Sequence, residues 1–288
     1  MPKRLILHHD DADGRCAAAI AASHAYIIHR VHADLYFFPM DYGRKLDFGI
    51  FEGFEFDPYF DVWLLDFSLP VDEMERLEAT VGIERLVWID HHVTALEKLA
   101  RFEHWAGLRR PDKAACALTW AYAGMFGGMP LAVKLIADRD TWKFEHGDQA
   151  RWFHAALDLY DTHPGSQIWE NFWLKPEERL EAELSQGCAI YTARRKRLAG
   201  VLASLGRAEK LHGTGLTVLS VNYPGSGDLG EIGRELGHEV VHSYVDQEKD
   251  GRLCRVHSLY STSVDVGILA KERGGGGHRG AAGWVERI

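Results

Sequence analysis

The sequence has no long apolar run and no recognisable leader peptide. No stretch of it approaches the ~18 consecutive apolar residues of a membrane-spanning helix. Near the start, Leu5, Ile6 and Leu7 are followed at once by the polar pair His8 and His9, whereas a secretory signal needs a longer apolar core and a cleavage site of small residues. We therefore predict a cytoplasmic protein that does not contact a membrane.

Cysteine is scarce, and the cysteines lie far apart. No two of the four form a Cys-x-x-Cys pair, which argues against a zinc ribbon and against a thioredoxin-like redox site. In a chain of 288 residues, isolated cysteines are typical of reduced and mostly buried thiols. The residues concerned are Cys16, Cys116, Cys188 and Cys254.

An excess of basic residues is also missing, because the formal net charge is −9. Proteins that coat long DNA or RNA usually present a basic face to the phosphate backbone. The acidity therefore argues against that class of protein and favours a short or small substrate. It also fits a chain that uses carboxylates to bind metal ions.

Three short apolar segments that end in polar residues indicate a parallel sheet. Segments 4–9, 60–65 and 85–89 each contain an unbroken run of three or four apolar residues, as expected for strands that helices cover on both faces. Helical segments are predicted at 14–23 after the first strand and at 71–80 after the second. Because sites in open α/β sheets form at the carboxyl ends of the strands, the polar residues that follow these strands are predicted to converge.

Length and pattern together predict an α/β protein with two domains. The prediction places an N-terminal domain, with a mostly parallel sheet flanked by helices, at residues 1–175. A helical linker follows at 176–210, and a smaller C-terminal α/β domain at 211–288. A hairpin turn is predicted at 249–251, where Lys-Asp-Gly separates two strands of the C-terminal domain.

The polar residues at the strand ends form two candidate metal-binding clusters. In the first cluster the carboxylates alternate along an extended segment, so that each could serve a different ion. Taken alone, the first cluster could be an acidic turn that caps a helix, and the second a polar strand end. The residues are His9, Asp11 and Asp13 in the first cluster, and Asp90, His91 and His92 in the second.

Three further aspartates extend the candidate ligand set. Asp66 follows a strand of its own, and Asp138 and Asp140 flank Arg139 in a helical segment, where an exposed ion pair is the usual alternative. Carboxylates and imidazoles without thiolates suit Mn²⁺ or Mg²⁺, and the imidazoles favour Mn²⁺. So many carboxylates would repel one another without cations, and two adjacent cations are a known solution for phosphoryl transfer.

A run of glycines near the C-terminus is the third signal. Gly274 to Gly277 immediately precede His278. Glycine lets backbone N–H groups approach an anion closely, and His278 can add a donor. The alternative is a flexible hairpin or linker, but the run lies between a predicted helix and a predicted strand, so that an anion-binding segment is favoured.

In this order, the motifs resemble those of the DHH phosphoesterase superfamily, over nearly the whole chain. They are His-x-Asp-x-Asp-Gly at 9–14, the strand-end Asp66, Asp-His-His at 90–92, Asp-Thr-Trp at 140–142 and Gly-Gly-Gly-His at 275–278. The tail resembles the DHH-associated C-terminal domain, and the size is nearest to the oligoribonuclease (nanoRNase) and cyclic-dinucleotide phosphodiesterase branch. One departure is Tyr260-Ser261, where some family members carry Arg-Ser, so that the arginine contact to the substrate in those members has no counterpart there.

The resemblance implies two Mn²⁺ ions that share Asp66 as a bridging ligand. One ion would be bound by His9, Asp11 and Asp66. The other would be bound by Asp13, Asp66, His91 and Asp140. The match of Asp-Thr-Trp to the family pattern selects Asp140, and a contribution from Asp138 is left open.

The resemblance also implies roles beyond metal binding. Asp90 would act behind the ligands, and His92 would contact the substrate phosphate or donate a proton, so that both are predicted catalytic residues. A substrate phosphate or terminal nucleotide would be bound by Gly275, Gly276, Gly277 and His278.

The function implied is that of a Mn²⁺-dependent phosphodiesterase or exonuclease that degrades short RNA or single-stranded DNA to mononucleotides, with Mg²⁺ as a second candidate metal. Alternatives within the enzyme class are cleavage of cyclic or linear dinucleotides and hydrolysis of 3′-phosphoadenosine 5′-phosphate. An alternative of another class is a low-turnover nucleotide sensor. The expected partner is a short single-stranded oligonucleotide or a dinucleotide, and a homodimer is left open.

Overall fold

The computed structural model describes residues 2–29, 33–41, 44–54, 59–125, 127–174, 180–249 and 251–288. The chain forms two compact units, Met1–Ile190 (unit 1) and Tyr191–Ile288 (unit 2). This division falls within a helix that occupies most of the predicted linker. The predicted boundary between residues 175 and 176 lies outside the described residues.

Unit 1 combines four strands with helices that follow them along the chain. The strands are β1 (Lys3–His9), β2 (Asp34–Met40), β3 (Phe60–Leu65) and β4 (Leu86–Ile89). The helices are α1 (Ala12–His29), α2 (Val71–Val81), α3 (Val93–Lys98), α4 (Ala115–Tyr122), α5 (Leu131–Asp140), α6 (Asp148–Ala156) and α7 (Ile168–Leu174), and α8 (Glu181–Leu205) crosses into unit 2. None of the helices that the structure describes has both the length and the apolar content needed to span a membrane.

The strands of unit 1 form a parallel sheet in the order β2-β1-β3-β4. From β1 the chain moves to β2 at one edge of the sheet, and from β3 it moves to β4 at the opposite edge. The direction in which strands are added therefore reverses between β1 and β3. In open α/β sheets, binding sites form at the carboxyl ends of the strands at such a reversal. The predicted α/β fold with a parallel sheet is confirmed.

Apolar side chains fill both faces of this sheet. On one face, Ile6 and Trp63 belong to a buried cluster with residues of α1, α4 and α5. On the other face, Leu7 and Leu64 belong to a second cluster with residues of α2 and with Trp105. Because successive residues of a strand point to opposite faces, strands covered on both sides are apolar throughout, which is the pattern that predicted them.

The turn from β1 into α1 depends on a glycine. The backbone N–H of Gly14 donates a hydrogen bond of 2.9 Å to the Asp11 side chain, which caps the start of the helix. A Cβ atom at Gly14 would lie only 2.2 Å from the carbonyl oxygen of His9. Glycine therefore allows α1 to begin directly against the end of β1, and this keeps the carboxylates after His9 at the edge of the sheet.

Unit 2 is a second, smaller α/β arrangement. Its elements are β5 (Arg207–Lys210), β6 (Thr217–Asn222), α9 (Gly227–Glu235), β7 (Val240–Lys249), β8 (Arg252–Ser261), α10 (Val266–Lys271), β9 (Gly276–Gly277) and β10 (Ala281–Arg287). The sheet order is β5-β6-β7-β8-β10-β9, with β6 and β7 parallel and the other neighbours antiparallel. Residues of α8 and α9 pack on one face and residues of α10 on the other. Of the turn predicted at 249–251, Asp250 lies outside the described residues.

We expect Gly14→Ala to destabilise the protein, because the new Cβ would overlap the carbonyl group of His9. Overpacking of this kind typically costs about 1–3 kcal/mol, and thermal unfolding followed by circular dichroism would show it as a lower midpoint. Gly200→Ala in α8 is the matched control, since nothing lies within 4 Å of a Cβ placed there and alanine favours a helix over glycine. Equal midpoints for the two variants would contradict this account of the turn.

Candidate metal centre

Side chains from distant parts of the sequence meet at the carboxyl edge of the parallel sheet in unit 1. His9 is the last residue of β1, Asp66 follows β3, and Asp90 and His91 follow β4. Asp140 is the last residue of α5. The strand ends and the end of α5 therefore bring together the predicted constellation except for Asp138.

The first group of possible ligand atoms belongs to His9, Asp11 and Asp66, and these atoms lie within 4.8 Å of one another. The Nδ1 atom of His9 is 3.0 Å from an Asp11 carboxylate oxygen and 3.7 Å from Oδ2 of Asp66. Two carboxylates and one imidazole at this spacing could hold a divalent cation. This is the set of residues that the sequence predicted for one ion.

The second group lies on the other side of Asp66 and consists of Asp13, Asp66 and His91, with ligand atoms again within 4.8 Å of one another. The Nε2 atom of His91 is 3.2 Å from Oδ1 of Asp66 and 3.8 Å from Oδ2 of Asp13. Oδ2 of Asp140 lies 3.3 Å from the same nitrogen. The structure thus gathers all four residues predicted for the other ion.

Asp66 is common to both groups and is held in an unusual way. Its backbone has φ of 55°, in the left-handed region, which aspartate tolerates better than most residues. The residue is 1% exposed, and its two carboxylate oxygens accept no hydrogen bond within the described part of the chain. Burial, together with the charges of Asp13 and Asp11, raises the pKa of Asp66 well above the usual range of an aspartate.

The electrostatics of the whole cluster call for positive charge. Burial and the charge of Asp13 raise the pKa of Asp140 well above its ordinary value, and its buried Oδ2 accepts no hydrogen bond from the described residues. Burial opposes protonation of His9, but Asp11 and Asp66 outweigh it and raise the pKa of His9 to about 11. Without a cation, protons must neutralise these carboxylates, and a bound cation would replace them. The donor atoms present therefore fit divalent metal ions.

Asp13 is positioned by the first turn of α4. Its two carboxylate oxygens accept backbone hydrogen bonds from Ala115 at 2.7 Å and from Cys116 at 2.9 Å. These N–H groups have no partner inside the helix, and the helix N-terminus favours a negative charge. The two bonds thus fix the orientation of Asp13 within the cluster.

Asp90 organises the two histidines that follow it. Its Oδ1 accepts the backbone N–H of His91 at 2.7 Å and that of His92 at 3.1 Å, and lies 2.8 Å from Nδ1 of His92. Burial opposes the ionised form of Asp90, but the interactions with His92 prevail and lower the pKa of Asp90. Burial also opposes protonation of His92, and Asp90 more than compensates, so that the pKa of His92 is raised.

Asp138 plays a different part from Asp140. Its carboxylate accepts the backbone N–H groups of Glu145 and His146, both at 2.8 Å, and lies 3.1 Å from Nδ1 of His146. These bonds hold the loop that follows α5. Asp140 therefore lies in the cluster while Asp138 fixes the loop, and the choice of Asp140 as the metal ligand stays a prediction.

The glycine run lies in unit 2, beside the C-terminal strand. A Cβ at Gly275 would lie 2.0 Å from the carbonyl oxygen of Gly283, and one at Gly277, whose φ is +136°, would lie 2.6 Å from that of Ala281. The backbone N–H of His278 donates to Ala281 at 2.8 Å. Close packing against β10 therefore explains why glycine is needed at these positions, and substrate binding by Gly275, Gly276, Gly277 and His278 stays a prediction.

Sequence reasoning did not single out a polar cavity that is lined by the two residues flanking His9. The cavity is lined by His8, Asp10 and Arg15 on one side and by residues 160–164 on the other. The only signal in the sequence is the polar turn Asp161-Thr162-His163-Pro164, which has the composition of an ordinary surface loop. Its position next to the cluster becomes evident only from the fold.

Two solved structures share this fold. No family model matches the chain. The DHH domain of a protein from a family of ribosomal proteins is similar over 100% of this chain and 83% of that chain, with a TM-score of 0.62 and 16% identity. The pGpG-specific phosphodiesterase from Vibrio cholerae is similar over 99% of this chain and 94% of that chain, with a TM-score of 0.50 and 13% identity. The predicted resemblance to DHH-domain proteins is thus confirmed at the level of the fold.

A curated protein also matches by sequence. It is an uncharacterised protein of Acanthamoeba polyphaga mimivirus, 23% identical over 211 residues, which are 68% of this chain and 46% of that protein. The match therefore spans less than half the length of this relative.

We expect Asp66→Asn to raise the melting temperature of the metal-free protein and to abolish the stabilisation that Mn²⁺ gives the wild type. The change removes a charge that Asp13 and Asp11 repel, and asparagine tolerates the left-handed backbone at this position. Each kcal/mol of repulsion removed should raise the midpoint by about 2–4 °C. Thermal melts in EDTA and in Mn²⁺ measure both effects.

Asp112→Asn is the matched control for this variant, because Asp112 is exposed and pairs with Arg110 outside the cluster. It should behave like the wild type in both buffers. An Asp66→Asn protein that melts below the wild type in EDTA, and that Mn²⁺ stabilises as much as the wild type, would show that Asp66 is not a shared metal ligand.

Proposed function

We propose that this chain is a Mn²⁺-dependent phosphodiesterase that hydrolyses short oligonucleotides to mononucleotides. The observation that carries the proposal is the buried Asp66, shared between two groups of ligand atoms at the carboxyl edge of a parallel sheet. A buried carboxylate such as Asp66, to which the described residues donate no hydrogen bond, is costly, and it is explained by a site that binds cations. Phosphodiester hydrolysis is the chemistry that paired divalent cations most directly support.

The residues fit two ions in the arrangement that the sequence predicts. One ion would be held by His9, Asp11 and Asp66, and the other by Asp13, Asp66, His91 and Asp140. Oxygen and nitrogen donors without thiolates suit Mn²⁺, with Mg²⁺ as the second candidate. When bound, the two cations would activate water and neutralise the charge on the phosphoryl oxygens.

His92 is proposed as the proton donor to the leaving oxygen. Asp90 accepts the Nδ1 hydrogen of His92, which fixes the orientation of the ring, and we assign the proton transfer to Nε2. A positioned proton donor at the leaving oxygen is what general acid catalysis requires. Asp90 serves as the positioning residue in this pair.

A small substrate is supported by charge and by the fold. The net charge of −9 argues against binding a long nucleic acid, whose phosphates attract basic proteins. A linear dinucleotide is the second candidate, favoured by the similar fold of the enzyme described as a pGpG-specific phosphodiesterase. We include in the proposal the binding of a terminal phosphate by Gly275, Gly276, Gly277 and His278.

A panel of substrates tests this function. With Mn²⁺, we expect the wild type to cleave RNA or DNA of two to five nucleotides faster than 24-mers, cyclic dinucleotides or 3′-phosphoadenosine 5′-phosphate. Asp66→Asn should be inactive on all of them, and Asp112→Asn should match the wild type. If the wild type binds Mn²⁺ and these nucleotides but cleaves none, the protein is a nucleotide sensor and the proposed activity is wrong.

The role of His92 has its own test. We expect His92→Gln to lower kcat for dinucleotides by about 10²–10⁴-fold, the range of general acid catalysis, because the leaving oxygen loses its proton donor. The loss should be much smaller for bis(p-nitrophenyl) phosphate, whose leaving group needs no proton at neutral pH. Binding of Mn²⁺ should stay at the wild-type level. Equal losses on the two substrates would assign His92 to phosphate binding.

A further inference from the structure

A polar cavity of about 280 Å³ opens at the end of β1, where the chain enters the metal centre. His8 and Asp10, the two residues that flank His9, both line it, together with Arg15 of α1. The opposite wall is formed by residues of the loop between α6 and α7, including Asp161, Thr162 and His163. A phosphodiester bound at His9 would therefore have its neighbouring nucleoside within reach of this cavity.

Hydrogen bonds hold the walls of the cavity in place. Arg15 donates from Nε to Oδ1 of Asp10 and from Nη1 to the hydroxyl of Thr162, both at 2.8 Å. This joins α1 to a loop 147 residues further along the chain. His163 is fixed by its backbone N–H, which donates to Oδ1 of Asp161 at 3.0 Å, and by the edge of its ring against Phe37. The lining is thus organised before any ligand binds.

These bonds determine which atoms remain to meet a ligand. The Nδ1 atom of His163 accepts the N–H of Gly165 at 3.1 Å, so that its hydrogen is carried on Nε2. Arg15 keeps its Nη2 group, and Asp161 its Oδ2, without a hydrogen bond to any described residue. The cavity therefore offers donors on one part of its lining and a carboxylate acceptor on another.

The charge of the lining favours a base over a phosphate. Asp10 and Asp161 carry two negative charges against the single positive charge of Arg15. A second phosphate would meet net repulsion here, whereas a ligand that presents N–H groups would be attracted. Guanine presents two N–H-bearing nitrogens beside an acceptor oxygen, which matches a carboxylate next to a guanidinium group. Adenine presents a lone pair where guanine has one of these hydrogens, and a carboxylate repels it.

We propose that this cavity binds the nucleoside next to the scissile phosphate and prefers guanine, with Asp161 and Arg15 as the residues that read the base. The assignment of the neighbouring phosphate rests on the proposed function, whereas the base preference rests on the cavity alone. Asp161→Asn is the informative variant, because its Oδ1 can still accept the N–H of His163 while a donor replaces the free carboxylate oxygen.

Equilibrium dialysis of guanosine and adenosine in EDTA tests the cavity without the metal centre, since neither ligand carries a phosphate. We expect guanosine to bind on the order of tenfold more tightly than adenosine, as one well-placed base contact allows. Asp161→Asn should remove this preference, and Arg15→Met should weaken the binding of guanosine. Asp112→Asn and Arg110→Met, at an exposed pair outside the cavity, should retain it.

Hydrolysis of GpG and ApA with Mn²⁺ completes the test. We expect the wild type to prefer GpG through a lower KM, Asp161→Asn to lose that preference, and both proteins to turn over bis(p-nitrophenyl) phosphate equally. Guanosine preference without any dinucleotide cleavage would overturn the proposed function and leave the cavity assignment standing. Equal binding of the two nucleosides, or a preference that survives Asp161→Asn, would overturn the cavity assignment.

Discussion

Mutual repulsion among buried carboxylates is the constraint around which unit 1 is arranged. Asp66 lies almost inaccessible to solvent between Asp11 and Asp13, and its pKa is raised well above the usual range as a result. A carboxylate buried in this way costs stability, because its ionised form is shielded from solvent and accepts no hydrogen bond from the described residues. The repelling carboxylates lie at one edge of the sheet, as expected where the binding of a cation offsets the loss of stability.

The surrounding structure holds the carboxylates in position without neutralising them. Gly14 lets α1 begin against the end of β1, and the first N–H groups of α4 orient Asp13. Asp90 accepts hydrogen bonds from the backbone N–H groups that follow β4, and it orients the ring of His92. Each of these contacts fixes a side chain from behind, so that the faces turned toward Asp66 remain for metal ions. Preorganisation of this kind is what a catalytic metal site requires.

Much of this arrangement could be predicted from the sequence. Strands that are apolar throughout identify a sheet covered on both faces, and the polar residues that end them must then converge at one edge. The sequence could not separate Asp138 from Asp140, because both lie in the same short helical segment and only the packing of the loop after α5 decides which one caps it. The cavity beside His9 was missed because a loop distant in sequence forms half of its wall.

The glycine run illustrates the other limit of sequence reasoning. The run suggested an anion-binding segment. In the structure, close packing against β10 is enough to explain why glycine stands at positions 275 and 277. The two explanations are compatible, since tight packing leaves the backbone of Gly276 and His278 in a defined place. The pattern alone cannot distinguish a segment that must pack closely from one that must also bind a phosphate.

The central claim is that Asp66 bridges two metal ions, and electron paramagnetic resonance during titration of the metal-free protein with Mn²⁺ tests it directly. We expect two ions to bind per chain, with their spins coupled through the shared carboxylate. In Asp66→Asn the coupling should disappear, and binding should weaken. A single bound ion in the wild type, or two ions without magnetic interaction, would contradict a centre built around Asp66.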